Sequence, residues 1–165
     1  MTWHCATCGS EHTDLPLDWH YDAPAYWDGP RGEHDELTDD LCLWTDDGGS
    51  ECFFIRGLLP LPVLGAEATF NYGVWSSLSE ASFRHVLRTW DDPSRTGESH
   101  FGWLSNAIAD FPATLSLPLD VVTGEPGIRP RFILHDGDHP LVAAQRRGVT
   151  LDWVRDVAAR HLHAD

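Results

Sequence analysis

Cys5 and Cys8 stand three positions apart with Gly9 directly behind them. Cys-x-x-Cys-Gly is the pattern of a zinc knuckle: two thiolates on a tight turn, with the glycine relaxing the backbone where amides point at sulfur. A tetrahedral site needs two more donors, and those of suitable softness nearby are His4, His12, Cys42 and Cys52. Two completions are open. If a hairpin turn centres on Asp47, Cys42 and Cys52 lie opposite each other on one side of a sheet and make a four-cysteine site. Alternatively, His12, four residues after Cys8, joins Cys42 in a three-cysteine, one-histidine site. Either set is closed, so the expected cofactor is a structural zinc. A redox pair of the thioredoxin kind fits poorly, because Gly9 and Ser10 break the helix such a pair needs and no strand precedes it.

Four further residues stand at the ends or edges of expected elements and form a candidate ligand pocket: Arg56, Trp75, Arg129 and His139. Their chemistry suits an anionic or amide-bearing ligand, as polar groups beside loops often do. The competing reading gives both arginines to internal carboxylates and makes His139 the first residue of a helix. No His-Glu-x-x-His, Gly-x-Ser-x-Gly or phosphate-cradling loop occurs. A hydrolase therefore lacks its usual anchor. Of the eight tryptophans, Trp75, Trp90, Trp103 and Trp153 fall at apolar positions and read as core, while Trp19 and Trp27 are the open cases.

The elements that would position these groups follow from periodicity. Leu41 to Thr45 and Cys52 to Leu58 read as a hairpin around Asp46, Asp47, Gly48 and Gly49, and Ala68 to Trp75 as a third strand. Ser79 caps a helix reaching about Trp90. Phe101 to Phe111 reads as a short helix or turn, and Leu115 to Val122 and Arg131 to His135 as two more strands. Asp138 or His139 starts a helix with Pro140 in its first turn and Gly148 past its end, and Thr150 caps a last helix. Before all of these, Pro16, Pro24 and Pro30 forbid a long helix over residues 15–40, leaving at most a helical turn near Glu33 to Leu37. The expected class is α+β: a small, mostly antiparallel sheet with about three helices and a zinc-knuckle-like N-terminal segment.

The 165 residues fit one domain, with an acidic, metal-stapled segment over 1–52 and an α+β core over 53–165. Residues 1–52 hold thirteen acidic side chains against Arg31 alone, in a chain of net charge −15 with no lysine. That field repels phosphate backbones, so nucleic acid is not an expected partner. No apolar run approaches the 18 or so residues of a membrane span, and no signal peptide is visible, so a cytoplasmic location without a membrane role is expected.

Taken together, several motifs resemble one bacterial family: Cys5-x-x-Cys8-Gly9-x-x-His12-x-x-Leu15-Pro16, Asp40-x-Cys42, Phe53-Phe54-Ile55-Arg56-Gly57, Gly73-Val74-Trp75-x-Ser77-Leu78-Ser79, Phe101-Gly102-Trp103-Leu104, Arg129-Pro130 and His139-Pro140-Leu141-x-x-x-Gln145-x-x-Gly148. The family is the domain of unknown function numbered 2199, and the likeness runs from Cys5 to His161. It brings no activity with it. Its opening motif matches Cys5, Cys8, Gly9 and His12, and its later cysteine matches Cys42, so the resemblance implies a zinc held by Cys5, Cys8, His12 and Cys42. The function expected from all this is a zinc-stabilised module that binds another protein. The alternative is a hydrolase-like enzyme, zinc-dependent or not, with a pocket near Arg56, Arg129 and His139.

Overall fold

The computed structural model describes residues 2–164. The knuckle is a ribbon of its own, in which β1 (Trp3–His4) pairs antiparallel with β2 (Glu11–His12). Beyond it the chain contributes short strands β3 (Asp18–His20) and β4 (Glu36–Leu37), then β5 (Leu41–Thr45) and the long pair β6 (Glu51–Val63) and β7 (Ala68–Leu78). Helix α1 (Glu80–Arg88) leads through a 3-10 turn at Pro93–Arg95 to β8 (Ser99–Trp103), β9 (Pro118–Val122) and β10 (Arg131–Leu134). Helices α2 (Pro140–Arg147) and α3 (Leu151–Leu162) follow. The class is α+β, and no described helix is long and apolar enough to cross a membrane.

The main sheet runs β3-β7-β6-β10-β9-β8, with β5 also on β6 and β4 on β5. Most pairings are antiparallel; β3 with β7 and β10 with β6 are parallel. The sheet curls: Ser76 of β7 bridges Leu104 just past β8, and Ser105 N–H donates to the Trp75 carbonyl at 2.8 Å. Gly102 permits this approach, since a Cβ there would strike Ser76 and the Ser77 carbonyl. Inside the curl lie Leu59, Phe70, Tyr72, Leu119, Val121 and Phe132, covered by Phe83 and Val86 of α1, Leu141 of α2 and Val154 and Val157 of α3.

Three local expectations change. Glu36 and Leu37 are strand rather than helical turn, because they pair with Leu43 and Cys42. Phe101 is in strand β8, its side chain and that of Trp103 exposed on either side of buried Gly102. Helix α1 stops at Arg88, two residues before Trp90, where Thr89 N–H and Oγ1 turn back to the His85 carbonyl. The expected caps hold: Ser79, His139 and Thr150 each accept from an amide of the first turn, and Gly148 with φ 88° ends α2. The proline-rich segment before β5 is ordered by its aromatic residues, as Tyr21 and Trp27 pack on a second cluster of Cys42, Trp44, Phe54 and Trp75 on the other face of β5, β6 and β7.

Candidate metal centre

The β1–β2 turn places Cys5 and Cys8 together. Cys5 N–H donates to the Ser10 carbonyl, Gly9 N–H to that of Cys5, and Gly9 takes φ 69°, which a side chain would resist. Trp3 stacks on His12 with ring centroids 5.1 Å apart, and its indole N–H donates to the Asp14 carbonyl, which fixes the ribbon. Trp3 and Cys5 are buried against Ala158 and Ala159, so the knuckle rests on α3. That contact brings His163, at the end of α3, to the thiols.

Donor atoms of Cys5, Cys8, His12 and His163 all lie within 4.8 Å of one another and could hold a metal ion. Cys5 Sγ is 3.2 Å from His163 Nε2, and Cys8 Sγ is 3.5 Å from His12 Nε2. A tetrahedron with metal–sulfur bonds of about 2.3 Å and metal–nitrogen bonds of about 2.0 Å has edges of roughly 3.3–3.8 Å; these two distances are close to that range, and the other donor pairs lie within 4.8 Å. Electrostatics also suit ligation. Burial opposes ionisation of Cys5, but the amides of Cys8 and Thr7 and the His163 ring outweigh it and lower the thiol below its usual range. At Cys8 the Ser10 amide is the main cause of a lowering in the same direction.

Three of the four expected metal residues are therefore together, and Cys42 is elsewhere. It sits in β5, buried beside Trp44, Phe54 and Trp75, where burial first, then the charges of Asp35 and Cys52, push its thiol up to about 12. Nor does it face Cys52. Thr45 pairs with Glu51, so Cys42 is opposite Phe54 and Cys52 opposite Trp44: same side of the sheet, two positions apart. His163 takes the place expected for Cys42.

Of the four pocket candidates, Arg56 and Arg129 line one cavity with Asp40, and Trp75 and His139 do not. Trp75 is fully buried, with its indole N–H donating to the Tyr21 carbonyl. His139 uses both ring nitrogens on backbone: Nδ1 accepts from Leu141 N–H at 3.0 Å and Nε2 donates to the Pro112 carbonyl. Arg129 Nε donates to Asp40 at 3.2 Å, whereas Arg56 has no carboxylate partner among the described residues and its Nε is buried without an acceptor.

Four groups come together only in the fold. His163 is absent from every donor set weighed above, though a histidine near the end of a final helix is a visible signal once a fourth donor is sought. Arg95, buried at 4% exposure, lines the cavity of Arg56 and Arg129. His85, Glu98 and His100 also converge within 4.8 Å, and buried Asp110 accepts from Tyr72 Oη, Arg160 and His161, tying α3 to the loop after β8.

A family model described as an uncharacterized protein conserved in bacteria, domain of unknown function 2199, matches residues 4–149, and the chain belongs to that family. The match contains Cys5, Cys8 and His12 and stops short of His163. No curated protein and no solved structure matches the chain.

Proposed function

We propose that this member of the bacterial family is a zinc-stapled binding protein, its zinc structural and its aromatic groove a seat for a partner protein. The observation that carries the reading is the donor set: two thiols and two imidazoles from residues as far apart as Cys5 and His163, all within 4.8 Å of one another. Four protein donors leave no position for a catalytic water. This borderline-soft set favours zinc over harder cations. Bound there, zinc would hold the knuckle against α3 and supply folding free energy. Reduced thiols suit the cytoplasm, which is part of the proposal.

The groove supports the binding role. Tyr26, Trp44, Phe54 and Trp103 line an open cleft of about 700 Å³, with Asp46 and Asp47 on its rim. Trp103 remains 46% exposed and Tyr26 39% exposed. Aromatic faces beside carboxylates match a segment that carries both apolar and basic side chains, and such rigid aromatics are the usual anchors of protein interfaces. The hydrolase-like alternative draws less support, because His139 is committed to backbone and, among the described residues, no nucleophile–base pair lines the cavity of Arg56 and Arg129. Selection from a displayed peptide library tests the proposal. Peptides enriched in Arg or Lys with aromatic residues should bind the full chain and lose that binding in Trp103→Ala and Tyr26→Ala variants that retain zinc. Peptides bound equally by wild type and both variants would contradict the assignment of the groove.

A further inference from the structure

Eleven arginines stand against 26 carboxylates in this chain. An arginine left without a carboxylate in a desolvated place is costly, because nothing nearby offsets the loss of its hydration. Among the described residues, Arg31, Arg84, Arg129, Arg146, Arg155 and Arg160 each have a carboxylate partner. Of the other five, Arg88, Arg131 and Arg147 are exposed. Of the remaining two, Arg95 is buried and Arg56 half-buried, and both line the same cavity of about 130 Å³.

That cavity lies where β6 changes partners along one edge. Arg56 N–H donates to the Asp40 carbonyl at the start of β5, whereas Leu58 N–H donates to the Pro130 carbonyl at the start of β10. The two neighbours must splay apart, and Gly57 marks the fork, since a Cβ there would collide with the Phe132 ring and the Pro130 carbonyl. Asp40 stands on one lip and Arg129 on the other.

The Arg95 guanidinium is held in place before any ligand arrives. Arg95 donates from Nε to the Gly124 carbonyl at 2.9 Å and from Nη2 to that of Glu125 at 3.0 Å, and it packs over the Trp90 ring at 5.3 Å. Those carbonyls orient its charge without neutralising it. Arg56 reaches only the Asp39 carbonyl, at 3.4 Å, and its buried Nε has no acceptor. Asp40, the one carboxylate lining the cavity, is already engaged with Arg129. Neither Arg56 nor Arg95 has an ion-pair partner among the described residues, although the charges of Asp22, Asp39 and Asp40 reach Arg56 from outside the cavity or from its lip.

We propose that this crevice binds a compact dianionic oxyanion, a phosphate group or a short dicarboxylate, between Arg56 and Arg95 with Arg129 at the side. Guanidinium forks match paired oxygens of either group, and two guanidiniums without an ion-pair partner match a dianion. The volume is below the roughly 300–1,000 Å³ of sites that enclose a whole cofactor, so the crevice takes the anionic head of its ligand. The site is independent of the metal centre and of the aromatic groove.

The test is calorimetric titration of the full chain with sodium phosphate and, separately, sodium malonate, at ionic strength fixed with sodium chloride. Side-chain Nε–H resonances of arginine are followed by NMR in parallel. The expected result is saturable binding of at least one anion, a shift of the Arg56 Nε–H resonance, and an affinity about tenfold or more weaker in Arg56→Gln but unchanged in Arg88→Gln. Response to phosphate alone identifies a tetrahedral ligand, and response to malonate alone a dicarboxylate. If Arg56→Gln fails to fold, Arg129→Gln and the wild-type resonance shift carry the test. No binding beyond the chloride control, or equal loss in Arg56→Gln and Arg88→Gln, overturns the proposal.

Discussion

Cys5 and Cys42 begin as the same thiol and are driven in opposite directions by what surrounds them. Both are buried, which disfavours the thiolate, but Cys5 is met by the amides of Cys8 and Thr7 while Cys42 meets aromatic rings and the charge of Asp35. A metal binds thiolate, so Cys42 is the wrong cysteine for the job. Cys42→Ala is therefore expected to keep its full zinc content, whereas His163→Ala should lose much of it and melt earlier. Serine at both Cys5 and Cys8 should cost several kcal/mol, because metal binding to an unformed site is folding free energy. Elemental analysis and thermal melts check all three, and zinc lost in Cys42→Ala but kept in His163→Ala would reverse the assignment. A second residue sets a pH dependence. Burial works against the charge of Asp35, yet the amides of Gly32, Arg31 and Thr45 and the Thr45 hydroxyl outweigh it and hold the carboxyl well below its usual range. A depressed folded pKa contributes stability that is complete above the unfolded value of about 3.9 and is lost as pH falls from there towards the folded value. Asp35→Asn should flatten that acid limb of the stability profile. An unchanged slope would show that the turn does not rely on this carboxylate.

At the level of elements, what was legible in the sequence was what is local. The hairpin around Asp46 to Gly49, the caps Ser79, His139 and Thr150 and the stop at Gly148 are settled by a few neighbouring residues each. Strand β8 was not legible, because a five-residue strand with exposed Phe101 and Trp103 around Gly102 carries no buried stripe to betray it. Its strand state comes from β9, a partner over a dozen residues away. The register of Cys42 was missed for a related reason: the wide turn that Asp46 closes onto Ser50 moves every pair by two positions from one centred on Asp47. The fork at Gly57 is equally invisible from sequence, since only the fold brings Phe132 against it. Gly57→Ala should cost about 1–3 kcal/mol through overpacking, read by denaturant unfolding. Gly137→Ala, with open space around it, should be nearly neutral. Equal effects at the two positions would mean that β10 gives way freely.

Across the whole molecule, the centre joins parts that sequence reading keeps separate. His163 lies 158 residues from Cys5, beyond both the resemblance that ends at His161 and the family match that ends at residue 149. No spacing rule links it to the knuckle; the contact of Trp3 and Cys5 with Ala158 and Ala159 does. The same closure explains how an acidic, proline-rich front stays ordered, anchored by aromatic residues at the sheet and by donors at α3. The net charge of −15 makes salt-sensitive nucleic-acid binding an outcome that should not be seen. A closed structural zinc centre of two sulfurs and two nitrogens has a direct signature in X-ray absorption at the zinc edge of untagged protein. One zinc per chain is expected, with two sulfurs at about 2.3 Å and two imidazole nitrogens at about 2.0 Å. A third sulfur, a water or carboxylate oxygen in the shell, or the absence of zinc from folded protein would contradict it.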